Sequence, residues 1–347
     1  MKTYNNLYPQ IYSFHNLFWA FEKAQRCKRD RPPVMKFRQN LEPNLFQLQE
    51  ELIYKTYRPG EYRCFYVYDP KTRLIMAAPF RDRVVHHALC NIIAPIFETR
   101  FIHDSYACIQ GRGVDAGVER VVEFLREAER QHDKVYCLKC DVYHYFREIR
   151  HDTLRRLMYR RIRCRETRWL FDVILQSAYD HEDHGLVGIP VGNLPSQLAA
   201  NIYLTPFDRW IKQDKREPFY IRYMDDFIVL SEDKKHLHAL RMEIETYLWE
   251  NLRLRLNRKT AVFPITQGID FLGYRIWPYK KLLRKQYVKR IKRMVKCFER
   301  EYREGRKSRE EIQQVLASWH GRAARANVPH LRGRIAERVG KEFGIEL

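Results

Sequence analysis

No stretch of 18 or more apolar residues occurs anywhere in the 347 residues, so nothing reads as a membrane-spanning helix. The opening, MKTYNNLYPQIYSFHNLFWAFEK, lacks the charged-then-apolar profile of a signal peptide. These two absences predict a soluble, cytoplasmic chain with no membrane partner. Internal repeats and low-complexity segments are also missing, and the eight cysteines (Cys27, Cys64, Cys90, Cys108, Cys137, Cys140, Cys164, Cys297) lack the density of a secreted disulfide scaffold. A reducing compartment follows. Acidic residues are few, 43 against 64 Lys and Arg, which leaves +21 at pH 7. With 45% hydrophobic and 14% aromatic residues the chain can still bury a core. Disorder is excluded as the main state, and at about 100–200 residues per domain the length suggests two or three domains.

An excess of positive charge this large argues for a polyanionic partner, because Lys and Arg release condensed counterions when they neutralise phosphates. Its distribution is uneven. Residues 276–347 hold 20 Lys and Arg against 8 Asp and Glu, so +12 of the +21 lies in about a fifth of the chain. Within that stretch Tyr287, Val288, Ile291, Met294, Val295, Phe298 and Tyr302 fall at helical spacing with Lys and Arg between them. A basic amphipathic helix beside a nucleic-acid channel needs this pattern, and so does a solvated helix packed on its apolar stripe.

The chain up to about residue 57 is mostly helical by period, with a break at Arg31-Pro32-Pro33 and an end at Pro59-Gly60. EYRCFYVYDP and RLIMAAP alternate as strands around an Asp69-Pro70-Lys71-Thr72 turn. Helices are expected from Phe80 to about residue 101, over 115–131, over 151–180, from about Pro195, and over 233–251. Strands are expected over 135–146, on both sides of Met224-Asp225-Asp226, near 260–264 and over 269–276. Mixed elements without a regular βαβ alternation make this an α+β core with helical additions at both ends.

Three carboxylates stand in apolar, β-rich surroundings: Asp141 after Val135–Cys140, and Asp225 and Asp226 inside Phe219–Leu230. Buried carboxylates are costly unless paired or bound to a cation. Two Mg²⁺ ions about 3.5–4 Å apart on such a set would support in-line phosphoryl transfer. An Asp-Asp pair alone reads better as a hairpin turn with Asx chemistry. Asp141 and the basic surroundings favour metal.

Tyr223-Met224-Asp225-Asp226 between apolar strands resembles the YxDD box of reverse transcriptases. The other boxes follow in order: Phe80-Arg81-Asp82-Arg83-Val84-Val85, His103-Asp104-Ser105-Tyr106 with Gly111-Arg112-Gly113, Asp141-Val142-Tyr143-His144-Tyr145-Phe146, Asn257-Arg258-Lys259-Thr260 and Phe271-Leu272-Gly273-Tyr274. Ser318-Trp319-His320-Gly321 resembles thumb sequences. Val191-Gly192-Asn193-Leu194-Pro195-Ser196-Gln197 replaces the QGxxxSP pattern of most bacterial reverse transcriptases and resembles that of diversity-generating retroelements. Val191 where Ile is commoner, and Tyr143-His144 where Lys-Phe is frequent, are departures.

The resemblance implies a right-hand polymerase fold. Residues 1–130 would be an N-terminal extension and fingers, 131–275 a palm with an antiparallel sheet (151–187 partly fingers and palm helices), and 276–347 a basic helical thumb. It implies an RNA-directed DNA polymerase that copies a retroelement template RNA into cDNA with adenine-directed mutagenesis. Its partners would be template RNA, the RNA/DNA hybrid, dNTPs and a basic oligomeric accessory variability protein. Asp141, Asp225, Asp226 and the Val142 backbone carbonyl would bind two Mg²⁺ ions, with Mn²⁺ a possible substitute. Phe146 would be the steric gate against a ribose 2′-hydroxyl, or else a core aromatic. Lys71 and Arg73 would reach the triphosphate, or be solvated turn charges. Lys259 would protonate the leaving pyrophosphate, or only contact backbone or phosphate. Val191, Gly192, Gln197 and Tyr223 would line the dNTP and template-primer, Gly192 because glycine admits a close backbone approach. A retron or phage-defence enzyme, and a nucleic-acid-binding scaffold with a vestigial site, remain alternatives.

Other signals point to structure. Cys137 and Cys140 have CxxC spacing, but residues three apart on a strand face opposite ways, which favours buried thiols over zinc. His181-Glu182-Asp183-His184 lies in a polar turn with too few ligands for a metal. His86 and His87 are adjacent on a helix and face different directions, which suits packing or interaction. Phe18, Trp19 and Phe21 are expected in the core.

Overall fold

The computed structural model describes residues 2–68, 72–177 and 186–346. In chain order its elements are α1 Tyr8–Tyr12, α2 Phe14–Ala24, α3 Pro32–Gln39, α4 Leu41–Ile53, β1 Arg63–Val67, β2 Arg73–Ala77, α5 Phe80–Glu98, α6 Val114–Gln131, β3 Tyr136–Asp141, α7 Tyr145–Glu148, α8 His151–Tyr159, α9 Arg165–Gln176, α10 Leu194–Arg209, β4 Tyr220–Tyr223, β5 Asp226–Ser231, α11 Lys234–Leu252, β6 Ala261–Pro264, β7 Ile269–Phe271, β8 Tyr274–Trp277, β9 Lys280–Leu283, α12 Lys285–Arg303, α13 Arg309–Ala324 and α14 Pro329–Phe343. The chain divides into two compact units. One holds Met1–Gly111, Asp141–Pro218 and Met242–Lys259, the other Arg112–Cys140, Phe219–Arg241 and Thr260–Leu347.

The first unit is mainly helical. Ser13 caps α2, its Oγ accepting from the Asn16 N–H at 3.3 Å. α2 then packs along α5, with Leu17, Ala20 and Phe21 of one helix and Val85, Leu89 and Ile93 of the other buried. Each large apolar side chain buried this way contributes about 1.5–3 kcal/mol. The expectation that Phe18 and Trp19 join Phe21 in the core is corrected here: Phe18 is 39% and Trp19 56% exposed. The reason is angular, since 17, 20, 21 and 24 form one helical stripe and 15, 18, 19 and 22 the next. The expected helix over 151–180 splits into α8 and α9, because Tyr4 pairs with the backbone of Arg161 and Arg163 at 2.7 Å each way. β1 and β2 pair antiparallel from Arg63↔Ala77 to Val67↔Arg73, and β1 is exposed throughout.

The second unit carries two sheets, ordered β4-β5-β3-β6 and β7-β8-β9. β4 with β5 and β3 with β6 are antiparallel. Val118, Val121, Val122 and Leu125 form the buried stripe of α6, which packs on β4 and β5, and Phe124 meets Phe219 edge-on at 5.5 Å. β3 ends at Asp141, earlier than the expected strand over 135–146, and His144 turns the chain at φ 43°. Cys137, Leu138 and Cys140 are wholly buried, and burial pushes the Cys137 thiol up. Among the described residues no three His, Cys, Asp or Glu side chains gather into a metal cluster. The C-terminal stretch opens with β8 and β9, whose last pair is Trp277↔Lys280, before its helices begin at Lys285. In α12 the buried residues are Ile291, Val295 and Phe298, all on the expected stripe. No helix among the described residues is long and apolar enough to cross a membrane.

His86 is buried on α5, and burial, followed by the charges of His87 and Arg83, pushes its pKa down to about 3. The unfolded chain therefore binds a proton near pH 6.5 that the folded one refuses, so stability present above that pH is lost as pH falls through it. Between pH 6.5 and pH 5, His86 alone is expected to remove about 2 kcal/mol, to be measured by urea unfolding across that range. His86→Gln should remove that share of the dependence and leave the part that His87 carries, whose pKa is pushed down to about 4.

Candidate active site

In the first unit a run of backbone hydrogen bonds joins three segments. Ile189 N–H donates to the Phe146 carbonyl at 2.8 Å, Gly188 N–H to Ile149 at 2.7 Å, and Met76 N–H to Val191 at 3.0 Å. Phe146 on α7, the strand-like segment 188–192, and β2 with Arg73 at its start are thereby brought into one surface. Phe146 and Val191 are half-buried, whereas Arg73 and Gly192 are exposed. Phe146 lies edge-on to Tyr145 at 5.8 Å, and the Tyr145 hydroxyl donates to the Ala200 carbonyl of α10 at 2.5 Å. Gln197 is half-buried in the first turns of α10, its N–H reaching Asn193 O at 3.3 Å. Lys71 and the 181–184 turn lie outside the described residues.

Asp141 is the last residue of β3 and is held twice by one partner. Asn257 Nδ2 donates to Asp141 Oδ2 at 3.0 Å, and Asn257 N–H donates to the Asp141 carbonyl at 2.7 Å. Tyr143 N–H donates to Arg255 O at 2.8 Å, so Val142 faces Leu256 as a pair whose own N–H and C=O point the other way. That leaves the Val142 carbonyl directed away from the 255–257 segment. Asn257 Oδ1 accepts from the Lys259 N–H at 3.1 Å, which holds the backbone of Lys259 while its side chain remains exposed. Sequence reasoning placed Asn257 in a box without seeing that it orients Asp141. No local signal could have found it, because Asn257 and Asp141 are 116 positions apart and meet only in the fold.

In the second unit Tyr223 ends β4, Asp226 begins β5, and Met224-Asp225 form the two-residue connection between them. Met224 has φ 57°, the left-handed backbone that tight hairpins use and that a non-glycine residue resists. Arg222, wholly buried, donates from Nη1 to the Met224 carbonyl at 2.8 Å and so holds the turn. Tyr223, Asp225 and Asp226 are half-buried. Lys139 Nζ lies 3.7 Å from Asp226 Oδ1, an ion pair that occupies part of this carboxylate. Lys139 was missed; strand alternation puts it on the same face as Asp141, two residues on. In the sheet, β3 and β5 are neighbours, the one ending at Asp141 and the other starting at Asp226.

Asp141, Asp225, Asp226 and the Val142 carbonyl are oxygen donors of the hard kind that suits Mg²⁺, but among the described residues no three such side chains gather into a metal cluster. A cation is already drawn to Asp226, in the form of Lys139. The box His103-Asp104-Ser105-Tyr106 turns out to be structural in its acid: Asp104 is buried and paired with Lys212 at 2.9 Å. Asp82 of the Phe80–Val85 box is wholly buried, accepting from Tyr57 Oη and from the Gly60 N–H at 2.8 Å each. Burial raises its pKa despite those two donors.

Gly192 adopts φ 117°, and a Cβ built there would lie 3.1 Å from Ile75 Cγ2 and 3.4 Å from the Met76 carbonyl. The close approach for which this glycine is needed is made by β2. Gly192→Ala is therefore expected to destabilise the junction of 188–192 with β2 by about 1–3 kcal/mol, read by urea unfolding.

The sequence model of the family described as reverse transcriptase (RNA-dependent DNA polymerase) matches residues 68–276, more than half of the chain. Protein YkfC of Escherichia coli strain K12 is 27% identical over 269 residues, 66% of this chain and 70% of YkfC. An uncharacterized 91 kDa protein in the cob intron of Schizosaccharomyces pombe is 25% identical over 195 residues, 55% of this chain. The chain spans 23% of that protein. Apo telomerase from Candida tropicalis is similar in fold at a TM-score of 0.50 and 10% identity, over 88% of this chain and 63% of the telomerase chain.

Proposed function

The chain belongs to the reverse transcriptase (RNA-dependent DNA polymerase) family, and from that premise we propose that it copies a retroelement template RNA into cDNA, with misincorporation directed to template adenines. The α+β architecture is that of a right-hand polymerase. On this reading residues 1–130 supply an N-terminal extension and fingers, 131–275 the palm, and 276–347 the thumb. The kinship with a protein in an intron fits a mobile element.

The observation that carries the reading is the placing of the acids at strand ends. Asp141 closes β3 under the grip of Asn257, and Asp225 and Asp226 sit at the β4–β5 turn, on strands that neighbour one another. Asp141, Asp225 and the Val142 carbonyl would hold Mg²⁺, with Asp226 beside them and partly engaged by Lys139. The bound ions would polarise the primer 3′-hydroxyl and offset charge on the departing pyrophosphate. Asn257 keeps one Asp141 oxygen engaged and so fixes the direction of the other. Arg73 at the start of β2, with Lys71 two positions before it in the sequence, would meet the triphosphate as a cationic donor. Phe146 would stand against the sugar and exclude a 2′-hydroxyl. Lys259, its backbone held by Asn257, would deliver a proton to pyrophosphate. Tyr223, Val191, Gly192 and Gln197 would line the nascent pair. The 276–347 segment would grip the RNA/DNA hybrid through phosphates, without regard to sequence. A basic oligomeric accessory protein is the partner that this class of element would supply.

Primer extension on an RNA template tests the polymerase. Asp225→Asn is expected to lower the extension rate by at least about a hundredfold while hybrid binding persists, because a ligand is lost and the grip is not. Equal extension by both proteins would remove the assignment. Fidelity tests the subclass. Val191 offers no hydrogen bond beside the new base pair, so Val191→Gln is expected to reduce errors opposite template adenines in sequenced cDNA. An unchanged error spectrum would reject the role of Val191.

A further inference from the structure

Helix α2 presents His15, Trp19 and Lys23 in a line, four residues apart, on a face turned from the core. Trp19 is 56% exposed, its ring 5.8 Å from that of His15 and 6.0 Å below Lys23 Nζ. Beside this line lies a cavity of about 550 Å³, walled by Pro9, Ser13, Asn91 and Ile92 as well as Trp19 and Lys23. The size is within the range of pockets that take small organic groups.

The cation at the rim is fixed in place. Lys23 Nζ donates to Asn91 Oδ1 at 2.5 Å, Asn91 Nδ2 donates to Asn16 Oδ1 at 2.9 Å, and buried Asn16 donates to the carbonyls of Ile11 and Ala88 at 2.9 and 3.0 Å. This chain of amides ties the ammonium to the buried backbone of α5 and orients it before any ligand arrives. Asn91 contributes a neutral oxygen, so the charge of Lys23 is not cancelled by it. The field at this end of α2 is strongly positive. His87 is pushed down to about 4 by burial first and then by Lys23, Lys28, Arg26 and Arg83.

A flat aromatic face, an oriented ammonium and surrounding positive charge form the combination that receives a nucleotide of an unpaired strand, base on ring and phosphate on cation. A protein partner would meet a rim of Gln10, Ser13, His15 and Asn91, which is too polar for an apolar helix. We propose that the cavity between α1, α2 and α5 is a binding site for single-stranded RNA, with one base stacked on Trp19 and the adjoining phosphate on Lys23. The choice of RNA rests on the reading above, in which the chain takes an RNA template; the site would then hold an unpaired part of that RNA.

Anisotropy of a short labelled single-stranded RNA, of the same sequence as DNA, and of a blunt RNA/DNA hybrid, each with the full chain, tests this. Trp19→Ala is expected to weaken single-stranded RNA binding about tenfold and Trp19→Phe to restore most of it, while blunt-hybrid binding stays unchanged. Lys23→Gln should reduce the salt slope for single-stranded RNA by about one. Wild-type affinity for RNA in Trp19→Ala, an equal loss on the blunt hybrid, or binding of DNA alone would each overturn the site. Asp225→Asn should bind single-stranded RNA like wild type. Absence of primer extension by the wild-type protein, with Trp19-dependent RNA binding intact, would thus fault the polymerase reading alone, and extension by the wild type without Trp19-dependent RNA binding would fault this site alone.

Discussion

A carboxylate at the end of an apolar strand has to be compensated, since an isolated charge taken out of water costs more than the net stability of a domain. Much of the local architecture is the means of that compensation. Asp141 recruits Asn257, which fixes the 255–259 segment and with it the backbone of Lys259. Asp226 recruits Lys139 from the neighbouring strand. Asp104 recruits Lys212, and Asp82 draws Tyr57 and Gly60 toward the start of α5. Loops that carry candidate residues are therefore placed by the need to satisfy acids.

The turn between β4 and β5 adds a second constraint. Met224 accepts a left-handed backbone, which a longer loop would have avoided, and a buried guanidinium holds its carbonyl. A two-residue connection keeps Asp225 and Asp226 on a rigid support, as a site needs when its geometry must be held closely. Gly192 plays the corresponding part in the first unit, where its conformation lets the 188–192 segment lie against β2.

Charge serves structure in the C-terminal helices. Arg338 makes two hydrogen bonds to Glu299, at 2.5 and 2.8 Å, and Arg303 meets Glu342 at 2.8 Å, tying α12 to α14. Such exposed pairs contribute little each, so the apolar stripe through Ile291, Val295 and Phe298 carries the packing. Glu299, Glu304 and Glu342 are paired with arginines, and Glu301 and Glu337 with lysines, while the stretch as a whole keeps a surplus of +12.

The sequence by itself determined the elements and the candidate acids. Period and punctuation sufficed for α5, α6, α10, α11 and the β4–β5 hairpin, because each has a long apolar pattern or a sharp turn. Asp141, Asp225 and Asp226 were legible because acids are conspicuous in apolar runs. Tertiary structure decided the rest. It split 151–180, since Tyr4 takes backbone groups that a continuous helix would use, and it added β9 as a hairpin partner to β8 where basic composition suggested helix. It turned Phe18 and Trp19 outward, because the α5 partner covers only one stripe of α2. It also assigned Asn257 and Lys139 their acids, which local sequence does not encode: hydrogen bonds between residues 116 positions apart exist only once the chain has folded.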